Sequence, residues 1–192
     1  KEEFSKDIPL NILNQNKVAL SETFRLLDIY VIERVSKILV KAEKIVCYGI
    51  GASELVARDF IMKLARLHKV AYLVPDIDFG KVLMNQLGKN DVVFLISYSG
   101  EKREVVEIAQ SAKELGKKII SLTRYGDTKL SRLADETLQV VAYENNFRSS
   151  ALTSRFTQMY VVDIIFYTML QQYDDKAFSL LKNTYYVAHE KE

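Results

Sequence analysis

The sequence predicts an α/β fold, a parallel sheet with helices on both faces, on three observations. Short apolar, β-branched runs alternate with segments of helical period. The two prolines and seven glycines fall mainly between these segments, as strand-to-helix connections require. Two stretches also share one design, an apolar run, a turn of Gly and Ser, then an amphipathic segment. These are KIVCYGIGASELVARDFIMKL from Lys44 to Leu64 and DVVFLISYSGEKREVVEIA from Asp91 to Ala109.

Apolar residues at Leu20, Phe24, Leu27, Val31, Val35 and Ile38 recur three or four apart, which predicts one long amphipathic helix from Asn16 to Ala42. No strand precedes it, so its place is across the sheet or against a second subunit. Strands follow at Lys44 to Tyr48, Val70 to Val74, Asp91 to Ser97, Lys118 to Thr123 and Thr137 to Val141. Between them helices are expected at Ser53 to Leu67, Phe79 to Leu87, Lys102 to Leu115 and, briefly, Lys129 to Leu133. Strands apolar on both faces suit a parallel sheet inside a three-layer αβα sandwich. Five of them with short helical crossovers suit a flavodoxin-like order. The last third reads as helices at Ser150 to Gln172 and Asp174 to Val187. In the first of these, MYVVDIIFYTML is apolar almost all round, which suits either the core or a subunit interface.

At 192 residues and 48% hydrophobic the chain can build one substantial core, and nothing indicates a second domain. Its 27 basic and 25 acidic residues are dispersed, with no basic arm for nucleic acid. The single cysteine, Cys47, lies in a strand and reads as a core residue; it excludes an internal disulfide and fits a reducing compartment. No signal peptide opens the chain. The longest apolar run, Met159 to Leu170, is too short to span a membrane and carries Asp163. The expected location is the cytoplasm, with no membrane contact. The first residue is Lys1, so a longer protein is expected.

In a parallel sheet the two Gly and Ser turns lie at the carboxyl ends of their strands, where loop amides and helix N-termini favour anions. GIGAS, Gly49 to Ser53, is not a dinucleotide fingerprint. The third glycine of that motif would stand where Glu54 does, and a carboxylate there repels pyrophosphate. A P-loop is excluded, because no G-K-[ST] follows. Ser53 either contacts a ligand or only caps its helix. In SYSGE, Ser97 to Glu101, two hydroxyls and several amides can converge on one anion.

GIGAS, SYSGE and the stretch ENNFRSSALTSRFTQMYVVDIIF together resemble the sugar isomerase (SIS) domain, in the form found in RpiR-type transcriptional regulators. NKVALSETFRLLDIYVIERVSKILVKAEKI also resembles the helix joining their helix-turn-helix to the sugar-binding domain. The resemblance spans roughly Asn16 to Gln172. It implies a linker helix over residues 1–43 and a phosphosugar-binding domain over 44–192, with DNA bound only through an N-terminal domain absent from this chain. Carried over, Ser53, Ser97 and Ser99 would hold the ligand, the latter two chiefly its phosphate, while Gly51 and Gly100 let the backbone approach. The family usually has Thr two residues after the second-turn glycine. Here that residue is Lys102, which either meets phosphate with its charge or points to solvent. No cofactor or metal is implied. A homodimer or dimer of dimers is expected from the resemblance and the apolar terminal helices.

The alternative is an aldose-ketose isomerase on the same fold, which needs a base at the carboxyl end of the sheet. His68 falls at the opposite end and reads as a helix-terminal residue, and His189 lies in the tail. Glu101, in the serine turn, and Glu144, after the last strand, are better placed to meet sugar hydroxyls, with Glu144 also a candidate base. Both also read as solvated loop carboxylates. Arg148 and Arg155 suit anions, an interface or a structural role. Some SIS isomerases carry a His-Gly-Asp-like segment where this chain has PDIDFGK, Pro75 to Lys81, without histidine. Asp76 and Asp78 there either touch ligand hydroxyls or cap a helix. A third reading is a dimerisation module with no ligand.

Overall fold

A computed structural model describes residues 7–142, 152–173, 179 and 181–182. Five parallel strands, β1 (Lys44–Gly49), β2 (Val70–Leu73), β3 (Val92–Ile96), β4 (Lys118–Arg124) and β5 (Glu136–Val140), lie in the order β2-β1-β3-β4-β5. Helices α1 (Ile8–Leu26) and α2 (Ile29–Lys41) precede the sheet. The others are α3 (Ala52–Arg66), α4 (Ile77–Met84), α5 (Arg103–Glu114), α6 (Lys129–Leu133) and α7 (Leu152–Gln171). Glu144, Arg148, His189 and most of the expected Asp174 to Val187 helix lie outside the described residues.

Strand parity divides the core into two layers. Ile45, Cys47, Phe94, Ile96, Ile120 and Leu122 face α2, α3 and α7, while Val46, Tyr48, Val93, Leu95 and Ile119 face α4, α5 and α6. Every residue of β3 is buried, so its run VVFLI reads as uniformly apolar instead of alternating. Burial pushes the Cys47 thiol well above its ordinary pKa, as befits an inert core residue.

The predicted Asn16 to Ala42 helix is two helices. The apolar spacing runs on through Leu27 and Val31, but Leu27 is extended (φ −65°, ψ 122°). The Asp28 carboxylate then accepts the amides of Tyr30 and Val31 at 2.8 and 3.3 Å, starting α2 anew. The break lets α2 bury Ile32, Val35 and Leu39 in the core, whereas α1 buries only Ala19 and Thr23. Thr23 reaches the end of β5: its hydroxyl accepts the Val141 amide at 3.0 Å and donates to the Val141 carbonyl at 3.3 Å.

At the amino end of the sheet His68 closes α3 in the left-handed region (φ 55°). Its amide donates to Ala65 and that of Lys69 to Leu64, each at 3.0 Å, a Schellman closure in which glycine is usual. His68 is thus the exposed helix-end residue expected. Among the described residues no helix is long and apolar enough to cross a membrane.

Glu107 of α5 is clamped between Lys81 of α4 at 2.8 Å and Arg103 at 2.6 Å. Hydrogen bonds from Lys81 and then Arg103 hold its carboxyl down, from the usual 4.5 to about 2. A carboxyl depressed in the folded state adds stability above its unfolded pKa and loses it as pH falls through its folded one. The α4–α5 clamp should therefore weaken between about pH 4.5 and 2. Carboxyl NMR should place the Glu107 midpoint near 2 and show it rising in Lys81→Met; a native midpoint near 4.5 would show the clamp unmade.

Candidate functional site

The strand order changes direction between β1 and β3, which are neighbours with Gly49 paired to Ile96. The helix following β1 covers one face and the helix following β3 the other, so the turns leaving these strands open a crevice at the carboxyl edge. Paired strands lie about 4.8 Å apart. The GIGAS and SYSGE turns thus start side by side.

In the first turn Gly51 adopts φ 62°, ψ −122°, a conformation open in practice to glycine alone. Gly49 is the residue that packs closely on the start of α3. A Cβ on Gly49 would stand 2.7 Å from the Ser53 carbonyl oxygen, whereas one on Gly51 would meet nothing within 4 Å. Ser53 is buried in the first turn of α3, one residue past its start, and its hydroxyl donates to Oε1 of Gln158 on α7 at 3.4 Å.

The second turn is more tightly built. Ser97 Oγ accepts the Gly100 amide at 3.2 Å, and Ser99 Oγ accepts the Glu101 amide at 3.3 Å. Neither hydroxyl proton has an acceptor among the described residues, so both remain to be donated. Gly100 has φ 64°, and a Cβ there would lie 2.5 Å from Thr128 Oγ1 and 2.7 Å from Thr123 Oγ1. The Tyr98 carbonyl accepts the Arg124 amide at 2.8 Å and the Thr123 hydroxyl at 3.2 Å, while the Gly100 carbonyl accepts the Leu130 amide at 3.0 Å. The Tyr98 hydroxyl both donates to the Ala142 carbonyl and accepts its amide, at 2.8 and 3.1 Å. The turn is therefore braced by β4, α6 and the segment leaving β5 before any ligand arrives. Sequence reading missed Thr123 and Thr128, which lie more than 20 residues downstream and meet the turn only through the fold.

The structure brings Ser97, Ser99 and Gly100 together in one turn, with Ser53 and Gly51 on the adjacent one. Lys102 is the exposed residue preceding α5 and makes no cap hydrogen bond. Glu101 is spent elsewhere: its carboxylate accepts the Lys129 amide at 3.0 Å and pairs with the Lys129 ammonium at 3.2 Å. That amide, foremost, holds the Glu101 carboxyl below its ordinary pKa, which ill suits a general base. Asp76 caps α4, accepting the Phe79 amide at 2.8 Å, and Asp78 is exposed in the first turn of that helix. The Arg155 guanidinium lies 5.5 Å from the centre of the Phe156 ring. Among the described residues no group of three or more His, Cys, Asp or Glu is placed to hold a metal ion.

Residues 38–169 match the SIS domain family. The chain belongs to that family. An uncharacterized HTH-type transcriptional regulator of Caldanaerobacter subterraneus subsp. tengcongensis is 38% identical over 173 residues, covering 90% of this chain and 61% of the relative. This SIS chain therefore spans less than two thirds of that relative's length. The Vibrio vulnificus NanR protein complexed with ManNAc-6P superposes with a TM-score of 0.89 at 26% identity, over 96% of this chain and 69% of that one. The sugar isomerase domain of an RpiR transcription factor from Sphaerobacter thermophilus shares the fold, with a TM-score of 0.84 at 18% identity over 93% of this chain and 98% of that one.

Proposed function

We propose that this SIS domain is the phosphosugar-sensing part of a bacterial RpiR-type regulator of sugar metabolism, acting in the cytoplasm. The observation that carries the reading is the braced second turn, whose Ser97 and Ser99 keep donors free at the β1/β3 crevice. Phosphate is bound by Ser97, Ser99 and the amides around Gly100, and the sugar extends towards Ser53. Lys102 and Glu144 border the ligand in this reading. DNA is contacted only through a helix-turn-helix outside this chain. The regulator works as a homodimer, supported by exposed Leu55 and Met62 on α3 and Phe156 and Tyr167 on α7. Sensing requires that ligand bind one arrangement of the subunits more tightly than the other.

An isomerase would need a base beside the sugar. Glu101 and Asp76 are engaged with helix N-termini, PDIDFGK offers no histidine, and the remaining candidate base, Glu144, lies outside the described residues; the likeness to HTH-type transcriptional regulators is what supports binding without turnover.

Replacing Ser97 and Ser99 together by Ala removes two hydrogen bonds to a charged group, so affinity for phosphosugars should fall about 100-fold or more. Calorimetry with N-acetylmannosamine 6-phosphate, arabinose 5-phosphate and other sugar phosphates reads this out, and melting of the free variant should drop by only a few degrees. Unchanged affinity would reject this pocket.

A further inference from the structure

The first turns of α7 carry Thr153, Ser154, Thr157 and Gln158, all buried, although farther along the helix buries Val161, Val162, Ile165 and Met169. A helix packing only against a core has no use for four polar side chains there. Thr157 turns its hydroxyl back to the carbonyls of its own helix, at 3.1 Å to Ser154 and 3.4 Å to Thr153. Gln158 does not. It is 1% exposed; its Oε1 takes one long hydrogen bond from Ser53, and its Nε2 has no partner among the described residues. A buried amide left without a partner costs stability, so a residue kept in that state calls for a partner that comes and goes.

We propose that Gln158 is a specificity residue of the phosphosugar site, donating from Nε2 to a hydroxyl or carbonyl oxygen of the sugar. The inference rests on the proposed ligand site and extends it to α7. Ser53 leads α3 directly out of the first turn, so the amide beside it lies on the sugar side of the crevice, away from the serines assigned to phosphate. Gln158 would then read the sugar while Ser97 and Ser99 read the phosphate. Because α7 packs against α1, α2 and α3, the same hydrogen bond would tie ligand occupancy to the helical layer.

The test is Gln158→Met, which keeps length and volume and removes both donors. Calorimetry would use the same sugar phosphates and, separately, inorganic phosphate. Expected are a melting temperature of the free variant equal to or above wild type, an affinity for the best phosphosugar about tenfold weaker, and an unchanged affinity for inorganic phosphate. Three results would overturn the inference alone: phosphosugar affinity within twofold of wild type, equal losses for phosphosugar and inorganic phosphate, or a marked fall in melting temperature, which would assign Gln158 a purely structural role. If the wild-type chain bound no sugar phosphate at all, the proposed site itself would fall, and this inference with it.

Discussion

Gly100→Ala should both unfold the chain more easily and abolish phosphosugar binding. The substitution meets two obstacles at once. An L-residue at φ 64° costs about 1–2 kcal/mol, and a methyl within 2.7 Å of two threonine hydroxyl oxygens adds about 1–3 kcal/mol of crowding. Thr128 is poorly able to yield, because it caps α6 reciprocally with Ser131. Urea unfolding should show a loss of roughly 3 kcal/mol, and a saturating phosphosugar should no longer raise the melting temperature. A variant that melts like wild type would mean that the turn does not adopt the left-handed, crowded geometry described here.

Asp91→Ala should be as destabilising and yet leave the ligand site intact. Asp91 is 2% exposed, and its carboxylate accepts the Lys44 amide at 3.0 Å and the Gly88 amide at 2.7 Å. It thereby joins the start of β1 to the loop entering β3. Alanine strands two amides where water has little access, at about 1–3 kcal/mol each, so a loss near 3 kcal/mol is expected. For a chain of this length that is roughly 6–12 °C in melting temperature. Asp91→Asn, which retains one acceptor, should lose less. Below its melting temperature the alanine variant should bind phosphosugar with wild-type affinity, because Asp91 and the serine turn stand at opposite ends of β3. A loss of binding in the folded variant would show that β3 transmits distortion along its length. Together the two variants separate what the strand needs at its amino end from what the site needs at its carboxyl end.

Strands were the most legible part of the fold. Strands buried on both faces leave short apolar runs bounded by turn residues, of which VVFLI is the plainest case, whereas β2 alternates between exposed and half-buried residues. The paired Gly and Ser turns were legible too, because each follows such a run and precedes a helical period. The interruption between α1 and α2 was not. Apolar spacing is continuous across it, and Asp28 becomes a cap only once Leu27 is extended. Glu101 illustrates a second limit: in the sequence it belongs to the serine turn, but the partner that claims its carboxylate is Lys129, 28 residues on. Gln158 is not legible in the sequence, because one amide in an apolar helix carries no local signal. Only its contact with Ser53, 105 residues away, marks it out.

The hydroxyl of Thr23 has a consequence for the border of the sheet. β5 is an outer strand, and beyond its last paired residue the backbone of Val141 would offer one amide and one carbonyl to any passing chain. Outer strands of this kind are where unrelated molecules add themselves and aggregates begin. Thr23 engages both groups with a single side-chain oxygen, as a residue of a sixth strand would, and it does so from a helix that cannot propagate the ladder. The leading helices therefore guard the outer border of the sheet as well as adding to its core, because the groups Val141 would offer to a second chain are already taken.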